Sequence, residues 1–267
     1  DTLKDGGYRL LNRLRINYGN YQFGILNEKD RLENIKDSLL KYSIELRNTA
    51  ALDKIIAGHF KVSQGLGLAM DATDGRDNDY QDDLFSTRQL YRITGIFSDI
   101  TPSEEFGLFG AAVQKTIGRC VFYGYFSSDK KDGILNPDGS INYYYYSNTR
   151  DNNYYDKFRE DIFGGYLKYY LPFAGLTGSH LAVGGYRMSY DKIFNPDWST
   201  LFDSSSYTVT DPDYLDLFKG KTRIIQNADF QLIWRQWRVF GELAHLAKAG
   251  SAHNLGFDFN TDNGIYT

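Results

Sequence analysis

The sequence is poor in cysteine, proline and long apolar runs, and each shortage removes a class of protein. Its single cysteine, Cys120, rules out an internal disulfide framework and any cysteine-rich zinc site. No apolar run reaches the roughly 18 residues that a membrane-spanning helix needs. With 5 prolines in 267 residues there is no proline-rich linker, and no composition shift marks a boundary, so residues 1–267 are expected to form one domain. Basic excess is missing too: a formal net charge of -4 leaves no electrostatic footprint for nucleic acid. Residues 1–7 are polar and lack the apolar core of a secretory leader, so the chain reads as a mature protein or an excerpt.

What is present in excess is aromatic and small: 22 Tyr, 18 Phe and 26 Gly favour sheets with tight bends. The dominant pattern is period-two alternation between turn residues, which is the signature of a half-buried strand. Leu14, Ile16 and Tyr18 alternate with Arg13, Arg15 and Asn17, and after Gly19 and Asn20 the alternation resumes at Tyr21, Phe23 and Ile25. Leu40, Tyr42, Ile44 and Leu46 oppose Lys41, Ser43, Glu45 and Arg47; Ile56, Phe60 and Val62 oppose Ala57, His59 and Lys61. Further pairs are expected at residues 105–114 with 118–128, 160–171 with 179–190, and 222–234 with 237–247.

Connection lengths then suggest a topology. Short turns near residues 19, 49–53, 115–117, 172–178 and 235–236 alternate with long polar stretches at 27–37, 129–159 and 191–221, as an up-and-down outer-membrane barrel requires. Treating residues 88–98 as a spanning strand would reverse that alternation, so 64–103 is read as one long loop or plug-like segment folded into or over the barrel. Ten spanning strands result, with residues 254–260 starting an eleventh. The expected fold is therefore all-β, an antiparallel up-and-down transmembrane β-barrel with about ten to twelve strands in this chain. Because a barrel must close to satisfy its edge hydrogen bonds in lipid, the chain is expected to be part of a longer barrel.

Alternation alone does not separate a membrane barrel, apolar outside, from a soluble sandwich, apolar inside. Strands of ten residues or so, charges shared among polar faces, and aromatics near strand ends favour the membrane. Tyr18, Tyr21, Tyr190, Trp234 and Trp237 are expected in an interfacial girdle. Arg13, Arg15, Lys41, Glu45, His59, Lys61, Arg119, Lys168, Arg187, Asp229, Arg238 and Glu242 are expected to face the lumen. There they either pair across the interior or line a watery path, whose basic excess would favour anionic solutes.

Catalytic chemistry is not visible. The four histidines form no metal-binding His-Glu-x-x-His run, and Ser63, four residues from His59, lies along the same strand face some way from it. The run from Gly65 to Gly67 lacks the third glycine and the βαβ setting of a dinucleotide fingerprint and reads as a tight bend. The acidic stretches 71–79 and 151–153 do not keep calcium-loop spacing, so neither a metal nor a cofactor is expected. Residues 143–146 and 154–155 are Tyr-rich.

Three segments, Ile56-Ala-Gly-His-Phe-Lys-Val-Ser-Gln-Gly-Leu-Gly-Leu68, Phe109-Gly-Ala-Ala-Val113 and Phe122-Tyr-Gly-Tyr-Phe-Ser-Ser-Asp-Lys-Lys-Asp132, resemble the barrel region of large helix-hairpin-helix domain-containing outer-membrane proteins. In that order the resemblance covers most of the chain. It implies a barrel in the cell outer membrane of a Gram-negative bacterium, preceded in those relatives by a helical part, and implies little about activity. The expected function is an integral outer-membrane barrel without catalysis: a porin-like channel, a transport component or a scaffold for surface loops. Its partners would be outer-membrane lipid and small solutes or a surface partner. The alternatives are a soluble or surface β-protein binding glycan or protein through its Tyr-rich loops, and an outer-membrane hydrolase using His59.

Overall fold

A computed structural model describes residues 8–29, 38–70, 94–102, 107–145, 154–173, 175–196, 218–261 and 264–266. These residues form strands and connections. The first half contains β1 (Leu10–Tyr18), β2 (Tyr21–Lys29), β3 (Leu39–Arg47), β4 (Lys54–Ser63), β5 (Gly95–Ser98), β6 (Leu108–Ile117) and β7 (Cys120–Lys131). The second contains β8 (Gly133–Leu135), β9 (Ile141–Tyr144), β10 (Phe158–Tyr170), β11 (His180–Phe194), β12 (Gly220–Trp234), β13 (Trp237–Leu246), β14 (Gly250–Thr261) and β15 (Gly264–Tyr266).

The strands make one antiparallel up-and-down sheet in the order β1-β2-β3-β4-β6-β7-β10-β11-β12-β13-β14-β15. Eleven of the described strands, from the nine-residue β1 to the twelve-residue β14, are long. The short β5 pairs with β4, and the hairpin of β8 and β9 stands at the end of β11. Connections are tight at one end of the sheet, as at Gly19, Gly118 and Arg235, whose positive φ angles of 55°, 58° and 56° close the hairpins. Two expectations change here. The hairpin turn joining β6 and β7 is 118–119, not 115–117, and residues 95–98 of the long segment form strand β5.

The sheet curves strongly. Six strand-to-strand steps separate β4 from β13, about 29 Å if flat at roughly 4.8 Å each. Yet the Leu66 amide, three residues beyond β4 and so within about 10 Å of its end, lies 2.7 Å from Oε2 of Glu242 in β13. Only a curled sheet brings them together.

Its two faces differ in chemistry. Leu14, Ile16, Phe23, Ile44, Phe126, Phe163, Val183, Leu243, Leu255 and Phe257 are exposed on the convex face. The concave face buries Lys41, Glu45, Tyr123, Tyr125, Glu160, Tyr166, Asp229 and Glu242. Register enforces the division, because residues opposite one another share a face: Leu14 pairs with Ile25 and Ile16 with Phe23, while Arg13 pairs with Leu26.

One wall strand leaves the ladder. Pairing of β3 with β4 ends at Ser43 and Gly58, after which β5 takes the place of β3 beside Phe60 to Ser63. Gly58 makes the bend, with φ of 98° and room for no side chain: a Cβ there would stand 2.4 Å from the Tyr42 carbonyl oxygen.

Candidate functional site: the concave face and its inserted segment

The segment after β4 is tied to the concave face from several sides. The Gln64 side-chain amide donates to the Tyr125 hydroxyl at 3.0 Å, and the Tyr123 hydroxyl donates to the Ser63 carbonyl at 2.7 Å. Tyr186 in β11 donates to the Ala69 carbonyl at 2.9 Å. Across the sheet, the Glu242 carboxylate accepts the amides of Leu66 and Leu68 at 2.7 and 3.1 Å and the Asn227 side-chain amide at 2.9 Å. Gly65, at φ 51°, lies directly under that carboxylate, where a Cβ would come within 2.7 Å of it. Two neighbouring amides aimed at one carboxylate make a small anion nest, here filled by the protein itself.

The returning part of the segment is held by charge. Asp99 is fully buried, with Lys41 Nζ at 2.7 Å and Lys61 Nζ at 3.9 Å. Burial raises the Asp99 carboxyl, but the two ammonium groups and Thr101 outweigh it and hold it below the ordinary carboxylate range. Ser98 donates to Glu45 at 2.5 Å, and Glu45 also accepts from Arg47. Lys168 Nζ donates to Thr94 at 2.6 Å.

Apolar packing completes the interior. Ile56, Phe60, Val62 and Ile96 pack with Tyr123, Tyr125, Ile162, Tyr166 and Tyr186 as one buried cluster. Glycines make room for the tyrosines: a Cβ at Gly184 would meet the Tyr166 ring at 2.6 Å. Nearer the loop end a second cluster joins Ile141, Phe158, Tyr190, Phe194 and Phe218, with the Arg223 guanidinium 4.6 Å from the Phe218 ring.

Of the twelve residues expected to face the lumen, Lys41, Glu45, Lys168, Asp229, Arg238 and Glu242 lie on the concave face, and Lys61 is buried against Asp99 there. Arg13 and Arg15 share the concave side of β1 by register but are exposed. Three stand elsewhere. His59 is on the convex side, its ring centroid 4.8 Å from Phe109 and 5.4 Å from Tyr42, because the inward row of β4 is the apolar one, Ile56 and Phe60, which packs on the inserted segment. Arg119 is exposed in the turn of 118–119. Arg187 is exposed between Phe163 and Ile224 on the convex face. Among the aromatics, Tyr18, Tyr21, Trp234 and Trp237 are exposed at the tight-turn end. Tyr190 is not one of them: it is buried in the second interior cluster, with its hydroxyl 2.9 Å from that of Tyr144.

Arg187 and Tyr190 are displaced for one reason. The alternating row Ala182, Gly184, Tyr186, Met188, Tyr190 looks apolar, but tyrosines that bury their rings and hydrogen-bond their hydroxyls suit a polar interior equally well. Sequence reading also missed Asp99, Gln64, Tyr123, Tyr125, Tyr166 and Tyr186. The available signal was the repeated Gly-Tyr adjacency at Tyr123 to Tyr125, Gly165 to Tyr166 and Gly185 to Tyr186.

The contacts that the described residues make on this face brace the inserted segment. His180 Nε2 lies 3.4 Å from Asp229, whose other oxygen accepts the Tyr166 hydroxyl at 2.7 Å, but the second ring nitrogen faces only the Gly178 carbonyl, at 3.5 Å. A nucleophile is not in line with that pair among the described residues. Groups of three or more side chains able to hold a metal are also absent among the described residues. Arg238 pairs with Asp258 at 2.7 Å and Lys131 with Asp129 at 3.0 Å, so much of the inner charge is compensated in place.

No protein-family model matches the chain, and no curated protein matches it. Among solved structures it is similar to Pseudomonas aeruginosa OccK2 (OpdF), both alone and in complex with glucuronate. In each case the TM-score is 0.35 at 12% identity, over 94% of this chain and 68% of that one.

Proposed function

We propose that the chain builds the wall of an outer-membrane β-barrel, and that residues 64–103, of which 64–70 and 94–102 are among the described residues, act as a plug-like segment restricting its interior. The observation that carries the reading is the inverted polarity of the two faces. Val183, Phe163 and Leu255 are 56%, 69% and 71% exposed on the outside while lysines, glutamates and aspartates are buried inside. Water penalises exposed apolar surface by roughly 25 cal/mol per Å², whereas lipid accepts it. Along β12 the convex row from Ile224 to Trp234, apolar except for Gln226, covers about 33 Å of strand; at a tilt near 40° it spans about 25 Å, the height of a membrane barrel's apolar band.

Channel or transport function with small solutes follows as the use of such a wall. Pairing of Lys41 and Lys61 with Asp99, and of Arg238 with Asp258, supports a braced interior over an open basic path for anions. Membership of the helix-hairpin-helix-containing outer-membrane proteins, on the three segments quoted above, belongs to the same proposal. The glycan-binding alternative has one observation in its favour, the close contact of the Tyr145 and Tyr154 rings on the loop side, 4.5 Å between centroids.

Vesicle folding tests the reading. A chain that inserts into lipid vesicles and migrates anomalously on a denaturing gel until boiled supports it. A water-soluble chain with unshifted migration, retained on immobilised glycans, overturns it in favour of the Tyr-loop binder.

A further inference from the structure

Where β4 leaves β3, the described strands leave a gap between β3 and β7. Beyond Ser43, residues Leu39 to Tyr42 are paired only with β2, and among the described residues no strand runs on their other side. The His59 ring fills the first position of the missing ladder, with Nδ1 3.1 Å from the Tyr42 amide nitrogen. Above it is a cavity of about 240 Å³ lined by residues of β3 and β7, by His59 and by loop residues including Tyr145, Tyr155 and Asp156.

Its lining contains consecutive residues of one strand: Leu40 with Lys41, and Lys130 with Lys131. Successive side chains of a strand point to opposite faces, so the residues around this cavity belong to both faces of the sheet. The two ends differ. Outside are Leu40, 53% exposed, the neighbouring Tyr42, 42% exposed, and Lys130 in the outer row of β7; inside are Lys41, Asp129 and Lys131. Lys130 faces Asp156 across 4.0 Å, both with side chains partly open to solvent.

We propose that this gap is a lateral binding cleft for a zwitterionic phospholipid of the surrounding leaflet. Its head group sits between Lys130 and Asp156, and one acyl chain lies on Leu40. The proposal rests on the membrane reading above. An apolar chain fits the outer mouth, and the paired charges match a head group carrying a phosphate and an ammonium. Each end of the ligand thus meets its own chemistry.

The test places a bimane label on a cysteine at Leu40, or at Phe126 on the same outer face as control, in full-length protein carrying Cys120→Ser. Vesicles contain phosphatidylethanolamine with brominated acyl chains, or brominated diacylglycerol as the head-group-free probe. The cleft predicts quenching by the brominated phosphatidylethanolamine about threefold stronger at position 40 than at 126, the scale of partly exposed charge pairs. The excess should vanish in the Lys130→Gln, Asp156→Asn double variant and with diacylglycerol. Equal quenching at the two positions overturns the proposal. Weaker quenching at 40 overturns it too, and shows that a polypeptide segment covers this edge of β3. Absence of quenching at Phe126 itself means that the outer face does not meet lipid, and the membrane reading fails with it.

Discussion

Glu242→Ala is the sharpest perturbation of the inserted segment. The carboxylate is buried and takes three donors, the amides of Leu66 and Leu68 and the side chain of Asn227. Truncation leaves all three without that acceptor. Unsatisfied buried donors cost about 1–3 kcal/mol each, and water admitted to the vacated space keeps the sum near the low end, about 3 kcal/mol. Since about 1.4 kcal/mol is a factor of ten, amide hydrogen exchange at Leu66 and Leu68 should accelerate by about a hundredfold. Glu242→Gln should cost less. Its remaining oxygen can still take the two backbone amides, and Asn227, whose Oδ1 is buried without a partner, can flip to accept from the new amide. Loss of charge assistance alone predicts roughly tenfold faster exchange. Exchange measured on folded protein, with heat-modifiable migration as the check that the wall persists, distinguishes these cases. Unchanged protection at Leu66 and Leu68 in both variants would refute the idea that Glu242 anchors the segment.

Other expectations concern the wall, the bend and pH. Val183→Arg, on the convex face, should reduce stability in vesicles by about 2–4 kcal/mol if it lies near the bilayer centre, measured by urea titration. Gly58→Ala forces a side chain onto the Tyr42 carbonyl and should cost about 3 kcal/mol or prevent folding, read from the fraction of heat-modifiable protein. Gly184→Ala overpacks against Tyr166 and should cost about 1–3 kcal/mol in the same urea titration. Asp99 has its folded pKa below its unfolded one, so its contribution is present above the unfolded value near 3.9 and disappears as pH falls through the folded value. Exchange at residues 94–101, corrected for its intrinsic pH dependence, should therefore show constant protection from pH 7 to about 4 and a loss below; a loss already at pH 6 would contradict the pairing with Lys41 and Lys61.

How much was legible in the sequence varied with residue type. Strands whose two faces differ outright could be oriented once the membrane reading was adopted: Leu40, Tyr42 and Ile44 against Lys41, Ser43 and Glu45 then put the polar row of β3 inside. In β11 the faces are Gly, Ala and Tyr against Leu, Val and Arg, and period two identifies the strand without saying which side is inner. In β4 the alternation runs unbroken through Gly58, but its apolar row of Ile56 and Phe60 faces inward against the inserted segment, so polarity alone put His59 on the wrong face. Contacts of the inserted segment were illegible for a different reason. Glu242 and Leu66 are 176 residues apart, and no local pattern encodes which strand a curled sheet will bring to a loop.

The most direct test of a lipid-facing wall is a nitroxide scan of β10 in the vesicle-reconstituted chain, comparing Phe163 and Leu167 with Ile162 and Tyr166. Alternation is predicted, with Phe163 and Leu167 accessible to oxygen but not to a water-soluble nickel chelate, and Ile162 and Tyr166 shielded from both. Chelate access at Phe163 and Leu167 as high as at an aqueous loop would contradict a barrel wall and return the chain to the soluble class.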